Sequence, residues 1–378
     1  MQRKPDRAEP SRAAFTILEL LVVVTIAAIL FGLLMPAVRT SSGAARRMGC
    51  SNNFKHLGLA MHNYHSSYNQ LPAMQGGTGP QGNEMESNLR RLSGLVALLP
   101  FLEQAELWEN ITEASTIEGE FYPSMGPAPW VKSYSPWRTQ VPSFQCPASP
   151  ATAEPFGLTS YAFCVGDQVD RLNDDHESTR TVRGVFAGRF TTKFRDIKDG
   201  LSNTIAMAEI GNDLGDRYAI GQTLLGQSID MFESPESCRV ATDPDRPGFY
   251  SQESTLASVG RGGRWADGAA AISAVATILP PNSASCSVGL RLTDDAILSV
   301  GSFHQHGAHF LMCDGAVRFV TDTIDHEEGL PPVIRVAEDE SSLSESTQLE
   351  SDAWLPVSPY GLWGALGTAR SGEAEDAP

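Results

Sequence analysis

Late in the chain, three histidines fall within six residues (His304, His306 and His309), followed by Cys313 and Asp314 in the run SFHQHGAHFLMCDG. Imidazoles at that density can hold a zinc-like ion or pass a proton near neutral pH. The spacing works against one shared site. On a strand His304 and His306 face one side and His309 the other, so a common site needs a loop. A catalytic partner for His304 is missing. The reading is structural: His304 bonds to backbone and holds a hairpin to its sheet, with no catalytic residue, metal or cofactor assigned. The chain carries no nucleophile elbow, phosphate loop, dinucleotide fingerprint or His-Glu-x-x-His pair. It is not read as an enzyme.

Glu19 is the other isolated ionisable group. It lies in the apolar run from Phe15 to Met35, 21 residues long, which as a helix rises about 31 Å, enough to cross a bilayer core. A carboxylate there costs roughly 2.5–3.5 kcal/mol at a membrane helix centre and less near an end, so a function is expected of it. The run begins abruptly at Phe15 after a polar leader with Arg3, Lys4, Arg7 and Arg12, and no small-residue cleavage site follows it.

The segment FTILELLVVVTIAAILFGLLMPAV resembles the N-terminus of type IV prepilins and type II secretion pseudopilins. The resemblance implies cleavage between Ala14 and Phe15 by prepilin peptidase and methylation of the new Phe15 amine. Ala14 stands where that family has Gly, which implies slower processing. It also implies that Glu19 pairs with the Phe15 amine of a neighbouring pilin-like subunit. The next stretch, CSNNFKHLGLAMHNYHSSYNQLP, and a late His-x9-Asp-Gly, here His304 with Asp314-Gly315, are similar to a bacterial prepilin-like family of unknown function. Further islands are Asp199, Gly200, Ser202, Asn203 and Thr204, then RGGRWADG at 261–268 and PPNSASC at 280–286.

The elements that must position these residues follow from pattern. Cys50, Phe54, Leu57, Met61, Tyr64 and Tyr68 recur at steps of three and four, one face of a helix continuing past Pro36. His62 and His65 flank that stripe as surface or packing residues, not ligands. A second helix over LSGLVALLPFLEQAELWENI is broken by Pro100. Strands are expected at 159–166, 184–190 and 203–210, and a hairpin over AHFLMCDGAVRFV turns at Asp314-Gly315. Trp265 reads as a buried anchor, and Asp199 and Asn203 as turn residues.

The expected fold is α+β: a pilin-like long N-terminal helix, transmembrane in its first half, packed on an antiparallel β-sheet with loop-rich insertions. Its parts are a cytoplasmic leader (1–14), the membrane helix (15–36), an extracytoplasmic body (37–336) and an acidic, disordered tail (337–378), with a short apolar patch inside the tail. The net charge of −17 argues against nucleic acid as a partner. Six cysteines without a Cys-x-x-Cys pair allow about 15 complete pairings. Cys238 and Cys286, which bracket the middle region, are the pair expected to bridge. The expected function is a prepilin-like structural subunit of a pilus or pseudopilus at the bacterial inner membrane, its partners prepilin peptidase and other pilin-like subunits. A surface protein binding a glycan or other extracellular ligand is the alternative, and a histidine-dependent metal hydrolase stands third.

Overall fold

The structure is a computed structural model, describing residues 16–79, 82–150, 155–176, 181–324, 330–333 and 355–372, without the side chains of 33–42. The chain divides into two units, Met1–Arg46 and Arg47–Pro378.

Helix α1 runs Ile17–Tyr68. Its first turn closes on a capping box: Thr16 Oγ1 accepts the Glu19 N–H at 3.2 Å, while Glu19 Oε2 accepts the Thr16 N–H at 2.9 Å. From Ile17 to Phe31 nearly every apolar side chain is exposed. Among the described residues, no helix is long and apolar enough to cross a membrane. The expected transmembrane first half is corrected accordingly.

In the second unit, α1 buries the predicted stripe. Cys50, Phe54, Leu57 and Met61 are sealed from solvent, with Tyr64 half-buried. Tyr68, at the end of the stripe, stays exposed. They lie on a five-stranded sheet built from β1 (Tyr161–Cys164), β2 (Ile205–Glu209), β3 (Ala274–Val275), β4 (Gly307–Met312) and β5 (Val317–Thr321), in the order β5-β4-β2-β1-β3. The sheet is mixed, which corrects the antiparallel expectation: β3 pairs with β1 in parallel, while the other pairings are antiparallel. Side chains alternate across it. Tyr161, Phe163, Met207 and Leu311 join the core under α1, whereas Ala162, Cys164, Ala208, Phe310 and Met312 form a second core behind. Phe54 meets Tyr161 edge-on at 4.5 Å. Gly58 lets the helix approach closely, since a Cβ there would sit 3.1 Å from Leu311 and 3.4 Å from the Gly315 backbone.

The second core is closed from beyond residue 354. Helix α4 (Gly361–Gly367) buries Trp363, whose Nε1–H donates to Leu279 O at 2.8 Å. The apolar patch of the tail therefore docks, while 334–354 lies outside the described residues. Asp199 belongs to this closure: its carboxylate accepts the N–H groups of Ser371 and Gly372 at 2.9 and 2.8 Å. Asn203 serves the turn, donating to Asp199 O. Arg183 ion-pairs with buried Asp167 and also reaches Pro356 O at 3.1 Å.

Pro100 breaks the second helical segment as expected, into α2 (Gly94–Leu98), a 3-10 turn and α3 (Ala105–Thr112). The stretch 184–190 is not a strand. It is buried and irregular because Gly184 presses on the Val165–Gly166 backbone and Gly188 on that of Asp174, approaches that admit no Cβ. Trp265 is buried against Trp137 and Phe144. His65 stacks on Phe194 at 4.1 Å and His62 leans on the same ring. Disulfides join Cys238 to Cys286, the expected pair, and Cys50 to Cys146. Cys164 and Cys313 remain buried thiols, and burial raises the pKa of both.

The Asp314-Gly315 turn joins β4 to β5. Asp314 Oδ1 accepts the Ala316 N–H at 2.8 Å, and Gly315 holds φ +88°. A Cβ there would meet His62 Nε2 at 3.8 Å, an ordinary van der Waals contact, so it meets backbone strain and not a clash. Gly315→Val is expected to cost about 1–3 kcal/mol, read as a lower Tm in thermal denaturation. An unchanged Tm would show the turn tolerates a β-branched residue.

Candidate functional site

At one end of the α1-facing side of the sheet, the alternation that buries Met207 brings Glu209, the last residue of β2, to the same side. Glu209 is 1% exposed. A lone carboxylate so buried costs several kcal/mol unless it is paired. Its partners come from three places. His309 in β4 donates its backbone N–H to Oε2 at 2.8 Å, and its Nδ1 lies 3.2 Å from Oε1. His304 Nε2 lies 3.3 Å from the same Oε1. Cys146, disulfide-bonded to Cys50 of α1, places its sulfur 3.4 Å from His304 Nε2 and 3.7 Å from Glu209 Oε1.

Each member is held by its own local structure. His304 sits in a turn in which its N–H donates to Ser302 Oγ at 3.0 Å, and Asn282 Oδ1 fixes the Ser302 N–H. Gly307 then brings the chain within touching distance of Val320 O, where no Cβ fits. His309 meets His304 edge-on at 4.9 Å and rests on Phe319. Arg47 lies over the far side of this wall, its guanidinium 4.6 Å from the Phe319 ring centroid and bonded to Gln305 O. Across the ladder Glu209 pairs with Tyr161, whose hydroxyl accepts from Asn53 of α1.

Burial alone would raise the Glu209 pKa. The hydrogen bonds from His304 and then His309 outweigh it and bring the carboxyl down to about 2. The group is therefore an ionised carboxylate between two imidazoles, sealed by a disulfide. Such a set can clamp an element, hold a proton or supply ligands to a metal.

The structure separates the histidines differently from the strand argument. β4 begins at Gly307, so His304 and His306 lie in the preceding turn. His304 and His309 come together, while His306 is exposed with φ +63°. Asp314 and Cys313 are at the opposite end of β4, away from the cluster. Ala14 and Phe15 lie outside the described residues. Glu209 and Cys146 were not anticipated as partners of His304. The available signal was a single acid closing the buried apolar strand IAMAE. A second candidate feature is a cleft of about 240 Å³ lined by Lys132, Phe156, Leu158, Asp213, Gly260 and Arg264.

A family model described as "Protein of unknown function (DUF1559)" matches residues 43–327. The chain belongs to the DUF1559 family. No curated protein and no solved structure matches it. The DUF1559 region contains the whole Glu209 cluster, from Cys50 to His309, and leaves Glu19 outside.

The cluster makes a pH prediction. Because the folded carboxyl titrates near 2 and an ordinary glutamate near 4.5, its stabilisation is complete above 4.5. It is lost as pH falls from 4.5 towards 2. The amount is about 3 kcal/mol. Glu209→Gln in this DUF1559 protein is expected to lower stability at pH 7 and flatten the acid limb in that window, measured by denaturant melts from pH 7 to 2. An unchanged acid limb would assign the loss to other carboxylates.

Proposed function

We propose that the chain is a prepilin-like structural subunit, exported and processed by prepilin peptidase, which assembles through the N-terminal part of α1. The observation that carries this reading is the exposed apolar stretch from Ile17 to Phe31, opened by the Glu19 capping box. An apolar surface of that extent needs a partner, and pilin-like helices of other subunits match it in kind. Glu19 is not uncompensated within one chain, since Thr16 satisfies Oε2. Among the described residues, no hydrogen-bond partner is seen for Oε1, so it is available to the cationic Phe15 amine of a neighbour. Two disulfides fit a body on the extracytoplasmic side of the bacterial inner membrane, and the charge of −17 fits no nucleic-acid partner.

The native protein is expected to begin at N-methyl-Phe15, read by intact mass and N-terminal sequencing. A Met1 start in the native envelope would rule the reading out. Glu19→Val is expected to abolish crosslinking between α1 segments of neighbouring subunits. Glu19→Gln keeps an amide able to cap the helix, and it too is expected to lose the crosslink if the carboxylate charge makes the contact. Retention in Glu19→Gln would reduce Glu19 to a cap.

The cleft supports a second reading, a surface protein that binds a glycan. The exposed Lys132 lines the cleft with Asp213 and Arg264, polar groups able to hydrogen-bond sugar hydroxyls, over a floor that includes the buried Phe156. Glycan-array binding by the full chain is expected to fall at least tenfold in Lys132→Ala. Absence of binding by the unmutated chain would dismiss this reading.

A further inference from the structure

We propose that Cys50, Cys146, His304 and Glu209 form a tetrahedral site for a zinc-class divalent cation once the Cys50–Cys146 disulfide is reduced. This goes beyond the assembly reading and does not rest on it.

The argument is geometric. A tetrahedral ion with bonds of about 2.0–2.3 Å to nitrogen, oxygen and sulfur places its ligand atoms roughly 3.3–3.8 Å from one another. Three edges of that tetrahedron already exist: 3.3 Å from His304 Nε2 to Glu209 Oε1, 3.4 Å from Cys146 Sγ to His304 Nε2, and 3.7 Å from Cys146 Sγ to Glu209 Oε1. All four ligand atoms lie within 4.8 Å of one another. The covalent sulfur–sulfur bond is too short an edge for coordination, and reduction frees the two sulfurs to part. Two thiolates, an imidazole and a carboxylate form a donor set suited to zinc. The carboxylate is pre-aimed: the His309 N–H holds Oε2, and His309 Nδ1 lies beside Oε1, the kind of outer support that orients a ligand.

The chemistry balances in two steps. A dithiol reductant gives two electrons and two protons to the disulfide, leaving Cys50 and Cys146 as thiols and itself as a disulfide. The divalent ion then displaces both thiol protons and binds neutral His304 through Nε2, the proton that Nε2 shares with Glu209 moving to Nδ1 by tautomerisation. Bound ion, two thiolates and one carboxylate sum to a single negative charge. The cross-link between α1 and the loop at Cys146 is thereby exchanged for a metal cross-link joining the same two elements and the sheet. Among the described residues, no comparable ligand set surrounds the other disulfide, Cys238–Cys286, whose Cys238 Sγ meets the Ala284 carbonyl, so it serves as an internal control.

The test uses the full chain reduced with a water-soluble phosphine, which becomes its oxide with oxygen from water and leaves no competing thiol. Cobalt(II) chloride is the probe. One equivalent is expected to give a thiolate-to-cobalt charge-transfer band with tetrahedral visible absorption, bleached by zinc chloride and absent from the oxidised protein. Cys146→Ser and Cys50→Ser are each expected to remove most of the charge-transfer band. His304→Ala and Glu209→Gln are expected to weaken cobalt binding at least tenfold, and Cys238→Ser to leave it unchanged. Zinc is expected to raise the Tm of the reduced chain, which keeps the test decisive if reduction loosens the fold. No band in the reduced wild type would overturn the proposal, as would a band that survives Cys146→Ser, or a reduced chain whose melting zinc does not alter.

Discussion

Burial of one helical stripe against one sheet face is the constraint from which the body follows. Phe54, Leu57 and Met61 share one buried core with Tyr161, Phe163, Met207 and Leu311 of the strands, and Gly58 removes the side chain that would hold helix and sheet apart. Full burial of each large apolar side chain contributes roughly 1.5–3 kcal/mol, so the stripe outweighs any single polar contact in the interface. The Cys50–Cys146 bond and the Asn53–Tyr161 hydrogen bond then fix register where the stripe meets the loops. A one-residue slip of a strand would turn its apolar residues to the wrong core. The register therefore settles where Glu209 points.

Glu209 is the exception this geometry enforces. Its strand places it on the α1 side, at the edge of an apolar layer, and an ionised group cannot remain there without partners. The turn at His304, the strand at His309 and the disulfide all converge on one oxygen atom. A late histidine motif and an early cysteine, far apart in the chain, thus describe one place.

Local pattern was legible in the sequence, and convergence was not. The helical stripe from Cys50, the break at Pro100 and the Asp-Gly hairpin depend on neighbours a few residues away, so periodicity and turn chemistry reveal them. The parallel edge strand at Ala274–Val275 is two residues long within an alanine-rich run and leaves no alternation to read. The stretch 184–190 has strand composition, yet its glycines serve close backbone contact. His304 lacked a partner in the sequence because Glu209 lies about a hundred residues away and joins it only through β-sheet pairing. The apolar run at the N-terminus suggested a membrane span from length alone, whereas among the described residues no helix is long and apolar enough to cross a membrane.

The packing of α4 sets an order of assembly. The core behind the sheet receives Trp363 against Phe310, and Arg183 and Asp199 find part of their hydrogen bonding in the segment after residue 354. Every other strand and helix of the sheet precedes that segment in the chain. A nascent or shortened polypeptide ending before it therefore presents an open apolar face and two under-satisfied charges, a form that chaperones and proteases recognise. Sealing of this face thus requires the segment 355–372, whereas the α1 interface is built from residues that precede it.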